Sequence, residues 1–265
     1  MCLLSYFPPE ATPDPVALRL GAAVNPHGHG FAVIAVPERR IIVGRGMHAE
    51  KVIDRFLAVR DRYLAGAALF HSRYATQGVH GIDNCHPFRL GHDQRTVLAH
   101  NGTLPKRVRP RAYDRRSDTR IAAEDYLPTM PFGSIDTHRG ARGLETWLGS
   151  SKLVLLTIDP AYQQSAYIFG ERAGVWDDGI WYSNTTYMAV ARRRMRRLVC
   201  RCCGRLDLDR VGRYCTRCGW CFACEGIFPH CDCTGPARAD PADLDREPAR
   251  MQFSDTPMNG FPPAF

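Results

Sequence analysis

The stretch MCLLSYF (residues 1–7) places a cysteine directly behind the initiator methionine and predicts a short first β-strand. A small side chain at position 2 allows methionine aminopeptidase to remove Met1, which would leave Cys2 with both a thiol and a free α-amine. A thiol beside its own amine is a nucleophile with a built-in base. Because free cysteine usually packs as a small apolar residue, position 2 alone favours a structural role. The rest of the sequence has to decide between the two.

The bulk composition describes a folded protein with a sizeable core. The chain has 265 residues, of which 45% are hydrophobic, so we expect one large domain or one domain with a small module. No apolar run approaches the roughly eighteen residues of a membrane helix, and the N-terminus lacks the basic and apolar regions of a signal peptide. We therefore expect a cytoplasmic protein without membrane attachment.

The net charge of +8 comes almost entirely from arginine, since Lys51, Lys106 and Lys152 are the only lysines. Such an excess suits nucleic acid, an acidic partner or an anionic substrate. The basic stretch PKRVRPRAYDRRSDTR (105–120) has the same ambiguity. Because charge runs usually lie on the solvated surface, we interpret that stretch as an exposed loop, with partner contact as the alternative.

Residues 2–191 show the patterns of one mixed domain, with strands, then helices, then strands, which favours layered α+β architecture over a Rossmann repeat. Asp14 and Ser117 are candidate helix caps, and Pro15 suits a first helical turn. The remaining residues divide into a cysteine-rich module (192–233) and a Pro-rich tail (234–265) that we expect to be flexible. The predicted strands are 2–7, 30–36, 39–46, 67–75, 96–102, 152–159, 165–170, 179–184 and 187–191, and the predicted helices are 13–24, 48–64 and 117–127.

Three short motifs of this domain carry groups that could act together with Cys2: HSRYATQG (71–78), HNG (100–102) and RSDT (116–119). Arg73 could pair with a carboxylate, or could form a structural salt bridge. Asp118 could hold an ammonium group, or could cap a helix.

Asn101 and Gly102 could donate hydrogen bonds to an oxyanion, although Asn-Gly is also a strong hairpin-turn signal. Taken together, a nucleophile, an oxyanion hole and two charged side chains of opposite sign form a site for an amino acid with a side-chain amide.

Five motifs in order resemble the class II glutamine amidotransferases, which are N-terminal-nucleophile hydrolases: the cysteine behind Met1, HSRYATQG (71–78), NCHPF (84–88), HNGTL (100–104) and SDT (117–119). The resemblance spans about residues 2–190 and implies a four-layer αββα sandwich. It implies that Cys2 is the nucleophile, that its α-amine is the base, and that Asn101 and Gly102 form the oxyanion hole. It also assigns Arg73, Thr76 and Asp118 to glutamine. Leu3 after Cys2, and Tyr74 and Gln77 in the loop that covers glutamine, depart from the pattern of the family.

Nine of the eleven cysteines lie between Cys200 and Cys233, a density that indicates metal binding in a cytosolic chain. CRCC (200–203) and CTRC (215–218) form paired C-x2-C knuckles, a strong signal for structural zinc. We expect about two zinc ions. The first would bind Cys200, Cys203, Cys215 and Cys218, and the second Cys221, Cys224, Cys231 and Cys233, with His230 as a possible substitute.

An iron–sulfur cluster is the competing interpretation of this module, because Cys215, Cys218, Cys221 and Cys224 are spaced C-x2-C-x2-C-x2-C. Zinc is favoured because a single cluster would leave the upstream knuckle (Cys200 and Cys203) and the later cysteines (Cys231 and Cys233) without a metal to bind. Ten arginines between Arg192 and Arg217 suit contact with nucleic acid or docking on a protein.

The sequence therefore predicts a glutaminase that delivers ammonia to a separate synthase or ligase. The alternatives are a zinc-ribbon module that binds nucleic acid or protein on an amidotransferase-like scaffold, and an amidohydrolase acting on another amide.

Overall fold

The computed structural model describes residues 2–75, 78–91 and 93–188, together with residues 202, 214–215, 218–221, 224, 226–227 and 230–231 of the cysteine-rich stretch. The chain divides into two compact units, Met1–Ala191 and Arg192–Phe265. Within the described residues, no helix combines the length and the apolar composition that crossing a membrane requires.

The first unit contains the helices and strands that position the candidate site. Its helices are α1 (Pro15–Val24), α2 (Ala49–Arg62), α3 (Asp118–Ile121) and α4 (His138–Leu148). Its strands are β1 (Leu3–Phe7), β2 (His29–Ala35), β3 (Arg40–Gly46), β4 (Ala68–Ser72), β5 (Phe88–Arg89), β6 (Thr96–Asn101), β7 (Lys152–Thr157), β8 (Ala166–Phe169), β9 (Val175–Asp177) and β10 (Ile180–Tyr182).

Two antiparallel sheets form the centre of this unit. The six-stranded sheet has the order β3-β2-β4-β1-β10-β9, and the four-stranded sheet has the order β5-β6-β7-β8. β1 lies between β4 and β10, and it is antiparallel to both. Separate antiparallel sheets with helices between their strands confirm the predicted α+β class.

The strand pleat sorts the apolar side chains into three clusters, because successive residues point to opposite faces of a sheet. Phe31 and Val33 of β2 pack with residues of α1 and α2 on one face, whereas Ala32 of β2 packs with Val154 of β7 between the sheets. On the far face of the four-stranded sheet, Leu153 packs with residues that include those of α4. The apolar side chains thus stack in the sequence helices, sheet, sheet and helices.

The local sequence accounts for the helix starts. Asp14 accepts a hydrogen bond from the backbone N–H of Val16 at 2.8 Å and caps α1, and Pro15 takes the first helical position. The Ser117 hydroxyl accepts the N–H of Arg120 at 3.2 Å and caps α3. The helix predicted from Ser117 begins as expected, but continues as a π-helical turn over Ala122–Tyr126.

Two features of the fold differ from the sequence-based prediction. The strand predicted at 187–191 is wrong for its described part, because Thr186, Tyr187 and Met188 form a helical turn. Asn184 starts that turn by accepting the N–H of Thr186 at 3.1 Å, and residues 189–191 lie outside the described residues. Helix α4 carries no sequence-based prediction, because it contains the poor helix former glycine twice.

A buried arginine joins the loops at one end of the six-stranded sheet. Arg60 of α2 is 1% exposed, and its guanidinium donates only to backbone carbonyl groups. The acceptors are the carbonyl oxygens of Pro8 (2.6 Å), Ala11 (3.0 Å from Nη2), Tyr63 (3.3 Å) and Gly66. The carbonyl groups of Pro8 and Tyr63 also accept backbone N–H groups, from Ala11 at 3.1 Å and from Gly66 at 3.3 Å. Arg60 is therefore the donor on which the carbonyl groups of Ala11 and the buried Gly66 depend.

We expect Arg60→Met to lower the free energy of unfolding by about 3 kcal/mol, because the carbonyl groups of Ala11 and Gly66 lose their donor and those of Pro8 and Tyr63 lose one of two. Urea unfolding monitored by circular dichroism measures the change. Arg62→Met is the control, since the Arg62 side chain on the same helix is 75% exposed. Equal losses in the two variants would contradict the assignment.

Candidate active site

Cys2 lies immediately before β1 and against the residues that follow β4. The Tyr74 backbone N–H donates to the Cys2 Sγ atom at 3.2 Å, and the thiol lies 3.4 Å from the Tyr74 carbonyl oxygen. On the other side, the Asn184 side-chain amide donates to the Cys2 carbonyl oxygen at 2.7 Å. The thiol group and the carbonyl group of Cys2 are thus each held by a residue that follows a neighbouring strand.

The electrostatic surroundings keep the Cys2 thiol protonated. Burial raises the pKa of this thiol, and the Tyr74 N–H and the positive charge of Arg73 only partly offset that effect. Because the thiolate is the reactive form of cysteine, a nucleophilic role for Cys2 would require a group that accepts the thiol proton.

Asn101 ends β6, and its side chain is tied to the strand that follows Cys2. The Asn101 Nδ2 atom donates to the Ser183 hydroxyl at 2.7 Å, and that hydroxyl also accepts the Leu4 backbone N–H at 2.9 Å. Asn101 and Ser183 are both buried. The predicted oxyanion residue is therefore linked to the predicted nucleophile's strand through one hydroxyl group.

Gly102 occupies a backbone conformation that favours glycine, with φ of +143°. A Cβ atom at this position would lie 2.2 Å from the Ser151 hydroxyl oxygen. Asn101 and Gly102 do not form a hairpin, because β6 pairs with β7, which begins only at Lys152. Glycine at this position therefore permits both the backbone conformation and the close approach of Ser151.

Arg73 follows β4 directly and is 3% exposed. Its Nη1 atom donates to the Val79 carbonyl oxygen at 3.2 Å, and its backbone N–H donates to the Gly28 carbonyl oxygen at 2.8 Å. Burial lowers the pKa of Arg73, whereas the charges of Cys2, Cys85 and Asp118 raise it. The guanidinium is thus close enough to interact electrostatically with both Cys2 and Asp118.

Asp118 is the first residue of α3, and both of its carboxylate oxygens are engaged. Oδ2 accepts the Leu104 backbone N–H at 2.9 Å, and Oδ1 accepts the Thr119 backbone N–H at 2.7 Å. Ser117, rather than Asp118, caps the helix. The contact with Leu104 connects Asp118 to the loop that carries Gly102.

A group of three buried histidines is connected to this carboxylate through His100. The rings of His71 and His86 stack at 4.0 Å, and His100 Nδ1 lies 2.9 Å from the Thr119 hydroxyl, which is 3.3 Å from Asp118 Oδ1. We assign the direction of this chain as His100 to Thr119 to Asp118, since a carboxylate accepts only. Among the described residues, His71 Nδ1 and His100 Nε2 have no hydrogen-bond partner.

Burial lowers the pKa of His71 to about 3 and that of His100 to about 4, and it places the pKa of His86 well below the usual value. All three rings are therefore neutral at neutral pH.

Asn84 connects the two loops that carry Arg73 and Asp118. Its Nδ2 atom donates to the carbonyl oxygens of Val79 (3.1 Å) and Arg115 (2.7 Å), and its Oδ1 atom accepts the Ser117 N–H at 2.8 Å. All three side-chain bonds of this buried residue therefore go to backbone groups next to the predicted substrate contacts.

The structure brings five of the six predicted site residues of this domain to neighbouring strand ends and loops: Cys2, Arg73, Asn101, Gly102 and Asp118. Thr76 lies outside the described residues, as does Gln77. Sequence reasoning missed Asn84, Ser183 and Asn184. The available signal was their position, since Asn84 is the first residue of the NCHPF motif and Ser183 and Asn184 end the strand predicted at 179–184.

In the cysteine-rich stretch, the Sγ atoms of Cys221, Cys224 and Cys231 lie within 4.8 Å of one another. The Cys221 backbone N–H donates to the Gly226 carbonyl oxygen at 2.6 Å, and the Tyr214 hydroxyl lies 3.1 Å from Cys231 Sγ. Cys215 packs with Trp220 and Cys218 in a small apolar cluster. The predicted ligands Cys200, Cys203 and Cys233 lie outside the described residues.

The basic stretch at 105–120 lies largely on the surface, as predicted. Lys106, Arg107, Arg109, Arg111 and Arg115 are exposed. Arg116 instead forms ion pairs with Asp114, Glu124 and Asp125, and Arg120 pairs with Glu124.

Comparison with known proteins agrees with the motifs. The family model of class II glutamine amidotransferases matches residues 17–125, a segment that contains Arg73, Asn101, Gly102 and Asp118, whereas Cys2 precedes it. The match confirms the class that the motifs indicate: residues 17–125 are of class II glutamine amidotransferase type. No curated protein matches the sequence.

Two solved structures show similarity to this chain. Glutamine phosphoribosylpyrophosphate amidotransferase from B. subtilis is 17% identical, with a TM-score of 0.43, and the alignment covers 72% of this chain and 44% of that chain. An allosteric regulatory enzyme of purine biosynthesis is 18% identical, with a TM-score of 0.37, and the alignment covers 72% of this chain and 43% of that chain. The matched region is less than half the length of either structure.

The neutral histidines predict a loss of stability in acid. A histidine in the unfolded chain has a pKa of about 6.5. Between about pH 6.5 and 4 these histidines are therefore protonated in the unfolded chain but remain neutral in the folded protein. The free energy of unfolding should therefore fall as the pH falls, by up to about 1.4 kcal/mol per pH unit for each such histidine. Urea titrations at about pH 7.0, 6.0, 5.0 and 4.5 measure how the free energy of unfolding changes with pH.

His71→Gln tests the assignment, because glutamine can still donate to the His100 carbonyl oxygen that His71 Nε2 contacts at 3.1 Å. The variant should lose less stability per pH unit than the unmodified protein. His138→Gln, which removes an exposed imidazole from α4, is the control. An unchanged slope in His71→Gln would show that this histidine does not contribute.

Proposed function

We propose that this protein hydrolyses the side-chain amide of glutamine and that Cys2, freed from Met1, is the nucleophile. The observation that carries the proposal is the arrangement at the start of β1. There the Cys2 thiol lies against Tyr74, next to Arg73, and Ser183 ties the adjacent residue Leu4 to Asn101. The class II amidotransferase match supports the amide-transfer chemistry in general.

The reaction follows from these positions. The Cys2 sulfur attacks the side-chain carbonyl carbon of glutamine, and the α-amine of the same residue takes the thiol proton. Asn101 Nδ2 and the Gly102 N–H stabilise the negative charge on the carbonyl oxygen of the tetrahedral intermediate. The amine returns the proton to the departing nitrogen, which leaves as ammonia. Water then hydrolyses the thioester to glutamate and restores the thiol.

Two charged side chains suit the other end of the substrate. Arg73 would bind the α-carboxylate through a two-pronged pair, and Asp118 would bind the α-ammonium group, with Thr76 lining the pocket. The hydrogen bonds from Leu104 and Thr119 hold the carboxylate of Asp118 in place for this task. Transfer of the ammonia to a separate synthase or ligase is part of the proposal.

Replacement of the nucleophile tests the proposed activity. Cys2→Ala should abolish ammonia release from glutamine, since no other group replaces the attacking sulfur. Cys85→Ala is the matched control, because the Cys85 thiol is the only other cysteine of the first unit and is also buried. Diazo-oxonorleucine should label Cys2 and not Cys85, and intact-mass analysis should show that active protein begins at Cys2.

Full activity in protein that retains Met1 would contradict the mechanism, because an acylated nitrogen cannot act as the base. Full activity in Cys2→Ala would contradict the nucleophile itself. Hydrolysis of simple amides in preference to glutamine would favour the amidohydrolase alternative.

For the cysteine-rich module we propose zinc as the bound metal. Zinc–sulfur bonds of about 2.3 Å in a tetrahedral site place the sulfurs about 3.8 Å apart. The mutual separations of up to 4.8 Å among the Sγ atoms of Cys221, Cys224 and Cys231 are close to that requirement, and Cys233 would supply a fourth ligand. These cysteines would hold the ion, and a zinc ion so bound supplies folding energy to a small module.

We expect about two zinc ions per chain by elemental analysis, and chelation should unfold the module while glutamine hydrolysis persists, because the first unit has its own core. Cys224→Ser should remove about one ion. The matched control is Cys202→Ser, which lies outside both proposed ligand sets and should leave the zinc content unchanged. Iron with sulfide, and an absorption band at about 400 nm, would instead favour a cluster.

A further inference from the structure

Ser183 has an unusual set of hydrogen bonds at the junction of the two sheets. It is fully buried directly after β10, and its backbone N–H donates to the Leu4 carbonyl oxygen at 2.8 Å. Its hydroxyl oxygen accepts from two donors, the Leu4 N–H at 2.9 Å and Asn101 Nδ2 at 2.7 Å. One hydroxyl group thus joins the six-stranded sheet to the end of β6 in the other sheet.

In this contact the Nδ2 atom of the Asn101 amide, and not its oxygen, lies against Ser183. An asparagine amide has two N–H donors on one atom and an acceptor on the other. With one Nδ2 hydrogen directed at Ser183, the second remains for another acceptor at the same nitrogen. Without Ser183, the amide could rotate and present its oxygen, which would repel a negatively charged oxygen instead of stabilising it.

We infer that Ser183 is a positioning residue for glutamine hydrolysis, which orients the Asn101 amide toward the oxyanion and holds it at a set distance from Cys2. The inference rests on the proposed function. Asn184, the next residue, likewise positions the proposed nucleophile, since its side chain donates to the Cys2 carbonyl oxygen at 2.7 Å. Two consecutive residues after β10 therefore hold the two reacting parts of the site.

Steady-state kinetics separate this role from a purely structural one. Loss of an oxyanion donor typically lowers kcat by about 10²–10³-fold, so a misdirected donor in Ser183→Ala should lower kcat by about ten- to a hundredfold. KM should stay within about twofold, because an interaction made only in the transition state leaves substrate binding unchanged. Ser183→Thr, which keeps the hydroxyl, should recover much of the lost rate.

Thr96→Val is the matched control. Thr96 begins β6, the strand that Asn101 ends, and its buried hydroxyl lies 2.8 Å from the Thr157 hydroxyl. This variant also removes a buried hydroxyl that joins two strands, but at the opposite end of the strand. It should lose stability while kcat changes by less than about twofold.

Inhibition by the γ-aldehyde of glutamate gives a second measurement. The Cys2 sulfur adds to the aldehyde carbon and the thiol proton ends on the aldehyde oxygen, so the adduct places that oxygen where the oxyanion forms. Ser183→Ala should weaken this inhibition by about the same factor as it lowers kcat. Inhibition by glutamate, which has no tetrahedral carbon at that position, should be unchanged.

A Ser183→Ala variant with the kcat of Thr96→Val, or with equally weakened binding of aldehyde and glutamate, would overturn the inference. If Ser183→Ala does not fold, Ser183→Cys takes its place, because a thiol is a weak acceptor of similar shape. In each outcome that overturns the inference about Ser183, the unmodified protein still hydrolyses glutamine, so the proposed function stands. Absence of hydrolysis in the unmodified protein would overturn the proposed function instead.

Discussion

The antiparallel pairing of β1 with both of its neighbours determines where the candidate site forms. Leu3 pairs with Ser72 at the end of β4, and Ser5 pairs with Tyr182 at the end of β10. The start of β1 therefore lies beside the residues that leave the other two strands, which brings Tyr74 and Asn184 onto Cys2. A two-residue slip of this register would move Cys2 by about 7 Å along the strand and break these contacts.

The same topology places polar side chains in buried positions at the strand ends. Their hydrogen bonds make the site rigid. Buried polar groups need partners, and the site supplies them mostly from backbone. Asn84 uses its whole amide on three backbone groups, and Asp118 accepts two backbone N–H groups. Side chains held by backbone groups can shift only if the loops shift, so the geometry of the candidate site depends on the two sheets as a unit.

The sequence predicted the parts of this arrangement that have a local signature. β1 and α1 follow from apolar patterns and from caps such as Asp14, and the five motifs predicted the class of protein. The roles of Ser183 and Asn184 could not be predicted, because their partners Asn101 and Cys2 are 82 and 182 positions away in the chain. A serine and an asparagine after a strand are also common turn residues, so their type gave no functional signal.

The state of the thiol gives the last constraint on the chemistry. Burial raises the pKa of Cys2, so a base must take its proton, and histidine is the usual choice. Among the described residues, however, no imidazole hydrogen-bonds to Cys2. His27 Nδ1 already accepts the Ala75 N–H at 3.0 Å, and burial lowers the pKa of His71 to about 3. An α-amine has a pKa of about 7.7–8.0, and only the cysteine's own amine is covalently positioned beside the sulfur. Under the proposed mechanism, the folding of β1 between β4 and β10 and the loss of Met1 are thus two separate requirements, the first for placing the sulfur and the second for activating it.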